Sequence, residues 1–299
     1  MIIVYLKGGL GNQLFQYALG RHLAEIHNTE LKLDVSAYGY STPQADTFCG
    51  LRKYALHPFS IKENFASREQ VKQLTEVKQT ALREWLHNLL HKHPPRPRSF
   101  ICGNYTSFNP GILKLPDNVY LEGYWQSEKY FLGISRIIHR EFAVKTPQSG
   151  RDRELAEQMA STCSVAVSVR RGDYASQPKK QQTHGLCDRD YYLRCVEFIV
   201  QKLAKPHFFV FSDEIAWCRE NLKLPYPVVF IDHNGPDKIH ENLRLMSQCR
   251  HDIISNSTFA WWGAWLNQNP DKIVLAPEKW FAKADKSSAD LLPDRWIKL

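Results

Sequence analysis

The chain of 299 residues is 43% hydrophobic and 23% charged, an ordinary globular composition that excludes collagen-like, coiled-coil and disordered readings. Its length suits one large domain or two smaller ones. Lys and Arg number 39 against 31 Asp and Glu, a formal charge of +8, so an anionic partner is expected: a nucleotide, a nucleic acid or an acidic lipid surface.

The seven cysteines (Cys49, Cys102, Cys163, Cys187, Cys195, Cys218, Cys249) form no Cys-x-x-Cys pair, which argues against a zinc ribbon or disulfide framework and for free thiols in a reducing compartment. The apolar run at the start is far too short for a signal peptide, and no segment approaches the roughly eighteen apolar residues of a membrane span. A soluble cytoplasmic protein is expected. Its basic segments would allow peripheral contact with the inner face of a membrane.

In chain order, Ile2–Leu6 reads as a buried strand entering the tight loop Gly8-Gly9-Leu10-Gly11. Leu14, Phe15, Ala18, Leu19, Leu23 and Ile26 then recur at helical spacing, and 31–35 reads as a second strand. A further helical stripe runs from Arg68 to His93 and is stopped by the prolines of 94–97. Val119–Tyr124 is expected as a strand and Glu128–Phe142 as a helix. Thr146–Gly150 reads as a linker, giving an N-terminal α/β domain over 1–150 and a C-terminal Rossmann-like domain over 151–299. In the latter, strand-like runs at 164–169, 207–211, 228–231, 252–254 and 273–275 alternate with helical stretches at 191–203, 215–222, 238–249 and 259–266. That alternation predicts an α/β fold with a doubly wound parallel sheet.

In such sheets, ligands bind outside the carboxyl ends of the strands. Three of these strands end in polar groups: Arg170-Arg171-Gly172-Asp173, Ser212-Asp213-Glu214, and Ser255-Asn256-Ser257-Thr258. The types suit a nucleoside diphosphate. Arginine forks match phosphate oxygens, and Ser257 and Thr258 open a helix whose free N–H groups favour an anion. Asp213 could accept hydrogen bonds from a purine edge or a ribose hydroxyl. The bland alternative is a strand-end salt bridge with Ser257 as a helix cap.

Gly9, Gly11, Asn12 and Gln13 form a second candidate, a loop meeting neither the P-loop nor the dinucleotide pattern but open to close approach by a ligand. The Asp188-Arg189-Asp190 spacing resembles a metal–diphosphate motif, yet capping of the following helix is the simpler reading. Similarly, His87, His91 and His93 read as solvated, and Trp261, Trp262 and Trp265 as core.

The blocks from Gly8 to Ala18, Tyr124 to Phe131, Val169 to Tyr174, Phe211 to Glu214 and Ile254 to Ala264 resemble, in order and spacing, those of the α-1,2-fucosyltransferases, glycosyltransferase family eleven. This resemblance implies a two-domain GT-B-type fold. It also implies inverting transfer of L-fucose from GDP-β-L-fucose, without a metal, to the 2-hydroxyl of a terminal β-galactoside in an oligosaccharide. By motif, Arg170 would contact the donor pyrophosphate, and with Arg171 it would stabilise the leaving diphosphate. The acceptor proton would pass to Asp173, or late to a phosphate oxygen with Asp173 only orienting the arginines. Asp213 would contact the guanine or ribose region; Ser255, Asn256, Ser257, Thr258 and Phe259 would line the phosphate side. Gly9, Gly11, Asn12 and Gln13 would approach the sugar and β-phosphate, and the first half would mainly hold the acceptor.

One departure is Ser168, where the family usually has His. Serine cannot act as a base near neutral pH, so the position is read as loop support. The rival readings are a transferase of another nucleotide sugar on the same fold and a nucleotide- or RNA-binding protein without chemistry. No RNA-binding motif is present, and nucleic acid is not expected as a partner.

Overall fold

A computed structural model of the chain describes residues 1–39, 53–76, 97–103, 107–177, 181–182, 185–282 and 288–299. Cys49, the histidines at 87, 91 and 93, and the side chain of Asp173 lie outside the described residues. The chain divides into two compact units, Met1–His57 with Ile61–Ile138, and Pro58–Ser60 with His139–Leu299.

The first unit opens with β1 (Ile2–Tyr5), a turn, and α1 (Leu10–Ile26). Gly8 makes the turn at φ +85°, where an L side chain is strained, and a Cβ there would meet Asn12 Nδ2 at 2.7 Å. More of α1 is buried than its apolar stripe suggests, because Gln13 and Gln16 are also fully buried. Next come β2 (Leu31–Asp34), α2 (Arg68–Thr75), β3 (Phe100–Gly103) and β4 (Val119–Gly123). These strands form a parallel sheet in the order β2-β1-β4-β3.

A single helix over 128–142 is not what forms. Two 3-10 turns, Glu128–Tyr130 and Leu132–Ile134, precede the short α3 (Ser135–Glu141). The carbonyl of Tyr130 is taken by His22 Nδ1 at 2.6 Å, which draws the chain onto α1 instead of into a continuous helix. Of the stripe expected from Arg68 to His93, α2 accounts for Arg68–Thr75, with Glu76 extended; 77–93 lie outside the described residues.

In the second unit α4 (Gly150–Ser161) follows the expected linker, in a stretch with no element expected from the sequence; its buried residues are Asp152, Leu155 and Met159, too few for a clear stripe. Then follow β5 (Cys163–Val169), α5 (Gly172–Ser176), α6 (Arg189–Lys202), β6 (Pro206–Ser212), α7 (Ile215–Asn221) and β7 (Val228–Ile231). The chain ends with α8 (Ile239–Gln248), β8 (His251–Ile253), α9 (Thr258–Leu266), β9 (Val274–Ala276) and β10 (Ile297–Lys298).

All five strands expected from the sequence are present, joined by β10, in a parallel sheet ordered β10-β9-β8-β5-β6-β7. From β5 the chain winds outward through β6 and β7, then returns to place β8 on the other flank of β5. That reversal opens a crevice at the carboxyl ends of β5 and β8, the usual ligand position in a doubly wound sheet. Trp261, Trp262 and Trp265 of α9 are core, and Trp261 Nε1 donates to Leu291 O at 2.8 Å. No helix among the described residues is long and apolar enough to cross a membrane.

Candidate active site

The loop leaving β5 carries Arg170 and Arg171, and the residues leaving the adjacent β6 carry Asp213 and Glu214. Parallel register sets Val169 beside Ser212, so the two loops emerge side by side. Arg170 Nη1 donates to Asp213 Oδ2 at 2.9 Å, and the Arg171 backbone N–H donates to Asp213 Oδ1 at 2.9 Å. Both carboxylate oxygens of Asp213 are thus engaged by the arginine loop. The residue expected from sequence to read the nucleoside serves here to hold Arg170.

Gly172 leaves room for this brace: a Cβ at this position would sit 2.4 Å from Asp213 Oδ2, so the carboxylate would have to shift. Arg170 also lies over the Tyr174 ring at 5.4 Å. Its side chain is 31% exposed, so the guanidinium braced by Asp213 reaches the surface of the crevice.

Arg171 is more enclosed. Its Nε donates to Glu214 Oε2 at 3.3 Å, and its guanidinium stacks on the Trp217 ring at 4.0 Å. Sequence reading missed Glu214 and Trp217 in this role. The i, i+3 spacing from the strand end into α7 was the available signal. Arg171 is therefore better described as a buttress of the loop. Asp173 lies in α5, its side chain outside the described residues.

Across the crevice, Ser255 and Asn256 follow β8 and are buried. Asn256 is anchored: its Nδ2 donates to Trp280 O at 3.2 Å and to Gly185 O at 3.5 Å, while its Oδ1 faces the Cys187 thiol at 3.6 Å. It shapes this loop and has its amide committed within the protein. Tyr191 reinforces the same loop by donating to Ile254 O at 2.6 Å. The Ser255 hydroxyl is fully buried and has no hydrogen-bond partner among the described residues.

Ser257 stands at the N-cap of α9 without a side-chain cap bond, so its hydroxyl takes none of the first-turn N–H groups, which include those of Thr258 and Phe259. Asp188, by contrast, accepts from Tyr191 N at 2.7 Å and caps α6, as the simpler reading had it. Burial pushes the Cys187 thiol up to about 11 and that of Cys195 to about 12, so neither is a thiolate nucleophile at neutral pH.

In the first unit, Gly9 is the N-cap of α1 and Gly11 lies buried within it. The Asn12 side-chain oxygen accepts from Gln126 Nε2 at 2.9 Å, joining the glycine loop to the exit of β4. Gln13 departs from the expected ligand-binding role because its amide is spent on the backbone. It donates to Gly8 O at 3.1 Å and Lys53 O at 3.0 Å, and accepts from Ala55 N at 2.9 Å. Gln16, which sequence reading passed over, accepts from Lys7 N at 3.0 Å and donates to Gly123 O at 2.9 Å, tying the ends of β1 and β4 together. A glutamine in the middle of an apolar stripe was its only signal.

Two α/β units with parallel sheets, one presenting an arginine fork and an uncapped helix N-terminus at its switch point, define a GT-B-type glycosyltransferase. Glycosyl transferase family 11 matches over residues 1–299. The Escherichia coli α-1,2-colitosyltransferase is 30% identical over 306 residues, covering 100% of this chain and 99% of that protein. Galactoside α-(1,2)-fucosyltransferase 2 of Gorilla gorilla gorilla is 34% identical over 135 residues, or 44% of this chain and 39% of that protein. Among solved structures, NodZ α-1,6-fucosyltransferase soaked with GDP-fucose shares the fold at a TM-score of 0.50 and 15% identity, covering 89% of this chain and 91% of that one. The chain belongs to glycosyl transferase family 11, as its sequence blocks implied.

Proposed function

We propose that this glycosyltransferase moves L-fucose from GDP-β-L-fucose to the 2-hydroxyl of a terminal β-galactoside, with inversion at the anomeric carbon. The observation that carries the reading is the Arg170 fork, braced by Asp213 and set across the β5/β8 crevice from the N-terminus of α9, which Ser257 does not cap. As the sugar–phosphate bond breaks, negative charge grows on the departing GDP. A preorganised guanidinium and first-turn N–H groups stabilise that charge where it develops. The donor named for the NodZ structure and the acceptor class named for the gorilla relative both support this choice.

Arginine and helix-dipole stabilisation supply the electrophilic assistance in this scheme, and Asp188 is committed to capping α6. Turnover is therefore expected to survive excess EDTA; a strict requirement for added Mn²⁺ or Mg²⁺ would overturn the arginine-based mechanism.

A second reading has its own support: one relative that matches the whole chain is named a colitosyltransferase. Incubating the protein with lactose and either GDP-fucose or GDP-colitose, then identifying the trisaccharide by mass and linkage analysis, separates the two. Product from GDP-colitose alone would replace the fucosyl reading, and binding without turnover would end both.

A further inference from the structure

Two consecutive tyrosines of α6 lie beneath the β5/β8 crevice, and their hydroxyls are spent differently. Asp188 caps α6, so Tyr191 and Tyr192 fall in its first turn. Successive residues of a helix point about 100° apart, which sends the two rings toward different strands. Tyr191 donates to Ile254 O at 2.6 Å, at the exit of β8. Tyr192 packs in one cluster with Val167 and Val169 at the exit of β5, the strand paired with β8. The two rings meet edge to face, with centroids 5.1 Å apart.

Tyr192 is fully buried, and its hydroxyl has no hydrogen-bond partner among the described residues. It faces the Arg170 backbone N–H and the Cys187 thiol without closing a bond to either. Burial holds the phenol well above its ordinary pKa, so it stays a neutral hydroxyl able to accept one N–H. A buried hydroxyl left unpaired is costly, and phenylalanine would fill the same space without that cost. The amide it faces belongs to the residue whose guanidinium Asp213 aims.

We infer that Tyr192 is a positioning residue for donor binding, its hydroxyl accepting the Arg170 backbone N–H once a nucleoside diphosphate draws the Arg170 guanidinium into the crevice. The inference rests on the proposed place of Arg170 at the donor diphosphate. Tyr192 touches no ligand in this scheme. The bound state gains one hydrogen bond that the unbound state lacks, and the gain appears as affinity. Tyr191, whose bond is already made, only fixes the β8 side. If Tyr192 were core packing alone, losing its hydroxyl would stabilise the protein and leave ligand binding untouched.

Calorimetry with GDP, beside thermal unfolding of the unliganded full chain, provides the test. Tyr192→Phe should keep or raise Tm while GDP affinity falls roughly threefold to tenfold, the range for one hydrogen bond. Tyr191→Phe is the reference of opposite sense: it loses a bond already made and should lower Tm. In an Arg170→Ala background, Tyr192→Phe should cost less than about twofold in GDP affinity, since no guanidinium then draws the loop. Wild-type GDP affinity in Tyr192→Phe, an equal loss in both backgrounds, or a Tm lowered as far as in Tyr191→Phe would overturn the inference and leave Arg170 at the diphosphate. A wild type that fails to bind GDP would instead remove the donor reading, and the inference with it.

Discussion

Asp213 binds Arg170 with one carboxylate oxygen and the Arg171 backbone amide with the other, both at 2.9 Å. One side chain therefore sets both the direction of the guanidinium and the path of the loop carrying it. Asp213→Ala should weaken GDP binding roughly tenfold or more through Arg170. A double-mutant cycle with Arg170→Ala would then show strong coupling, since the second loss removes little more. Additive losses in calorimetry would mean that Asp213 contacts the nucleotide independently.

Arg170 itself should be the more costly loss. Charge on the departing diphosphate makes its bonds stronger in the transition state than in the bound donor. Arg170→Ala should lower turnover by about a hundredfold or more, the range for removing one preorganised donor. Arg170→Lys should recover little, because an ammonium lacks the planar fork. A folded Arg170→Ala protein with near-wild-type turnover would show that the arginine is only a structural ion pair.

Gly172→Ala tests the same geometry from the backbone side. The new methyl group would fall 2.4 Å from Asp213 Oδ2, so the carboxylate must swing off Arg170. The expected result is a GDP-binding defect similar to that of Asp213→Ala, with far-ultraviolet circular dichroism unchanged. Wild-type GDP affinity in Gly172→Ala would show that the loop relaxes without losing the brace.

Asp252 supplies a pH prediction. Burial pushes its carboxyl from 3.8 up to about 7, partly offset by the Asn267 hydrogen bond and then by Lys272. The folded state therefore holds this proton more tightly than the unfolded chain. The resulting stability is fully present below about pH 4 and is lost as pH rises through about 7. Asp252→Asn keeps an acceptor for Asn267 and removes the titration. Urea unfolding should find the variant gaining on wild type between pH 5 and 8, by a few kcal/mol at most, since each tenfold change in proton affinity is worth about 1.4 kcal/mol. Parallel pH profiles for the two proteins would mean that this carboxyl titrates normally.

Gln13 should matter for stability rather than for ligand binding. Gln13→Ala deletes three partly buried side-chain bonds to backbone and leaves Lys53 O and Ala55 N without that partner. A loss of about 2–4 kcal/mol is expected, with GDP affinity retained. Calorimetry showing a donor-binding defect without a fall in Tm would reverse that assignment.

Much of the second unit was legible in the sequence alone. Alternating apolar runs and helical stripes are local signals, and β5 through β9 lie where those signals put them. The arginine loop, the acidic strand end and the α9 N-terminus were equally legible, because strand ends in a parallel sheet share one rim. Weak stripes were not: α4 buries only Asp152, Leu155 and Met159, and β3 is a short edge strand whose sequence scarcely alternates. Glu128–Phe142 carried a convincing helical pattern, yet His22 on α1 claims the Tyr130 carbonyl and the helix breaks. Sequence determined which residue types reach each rim. Only the tertiary structure decided how their hydrogen bonds are spent: Gln13 and Asn256 inside the protein, Asp213 on its arginines. Partner choice depends on distance and direction between segments far apart in the chain, and no local pattern encodes either.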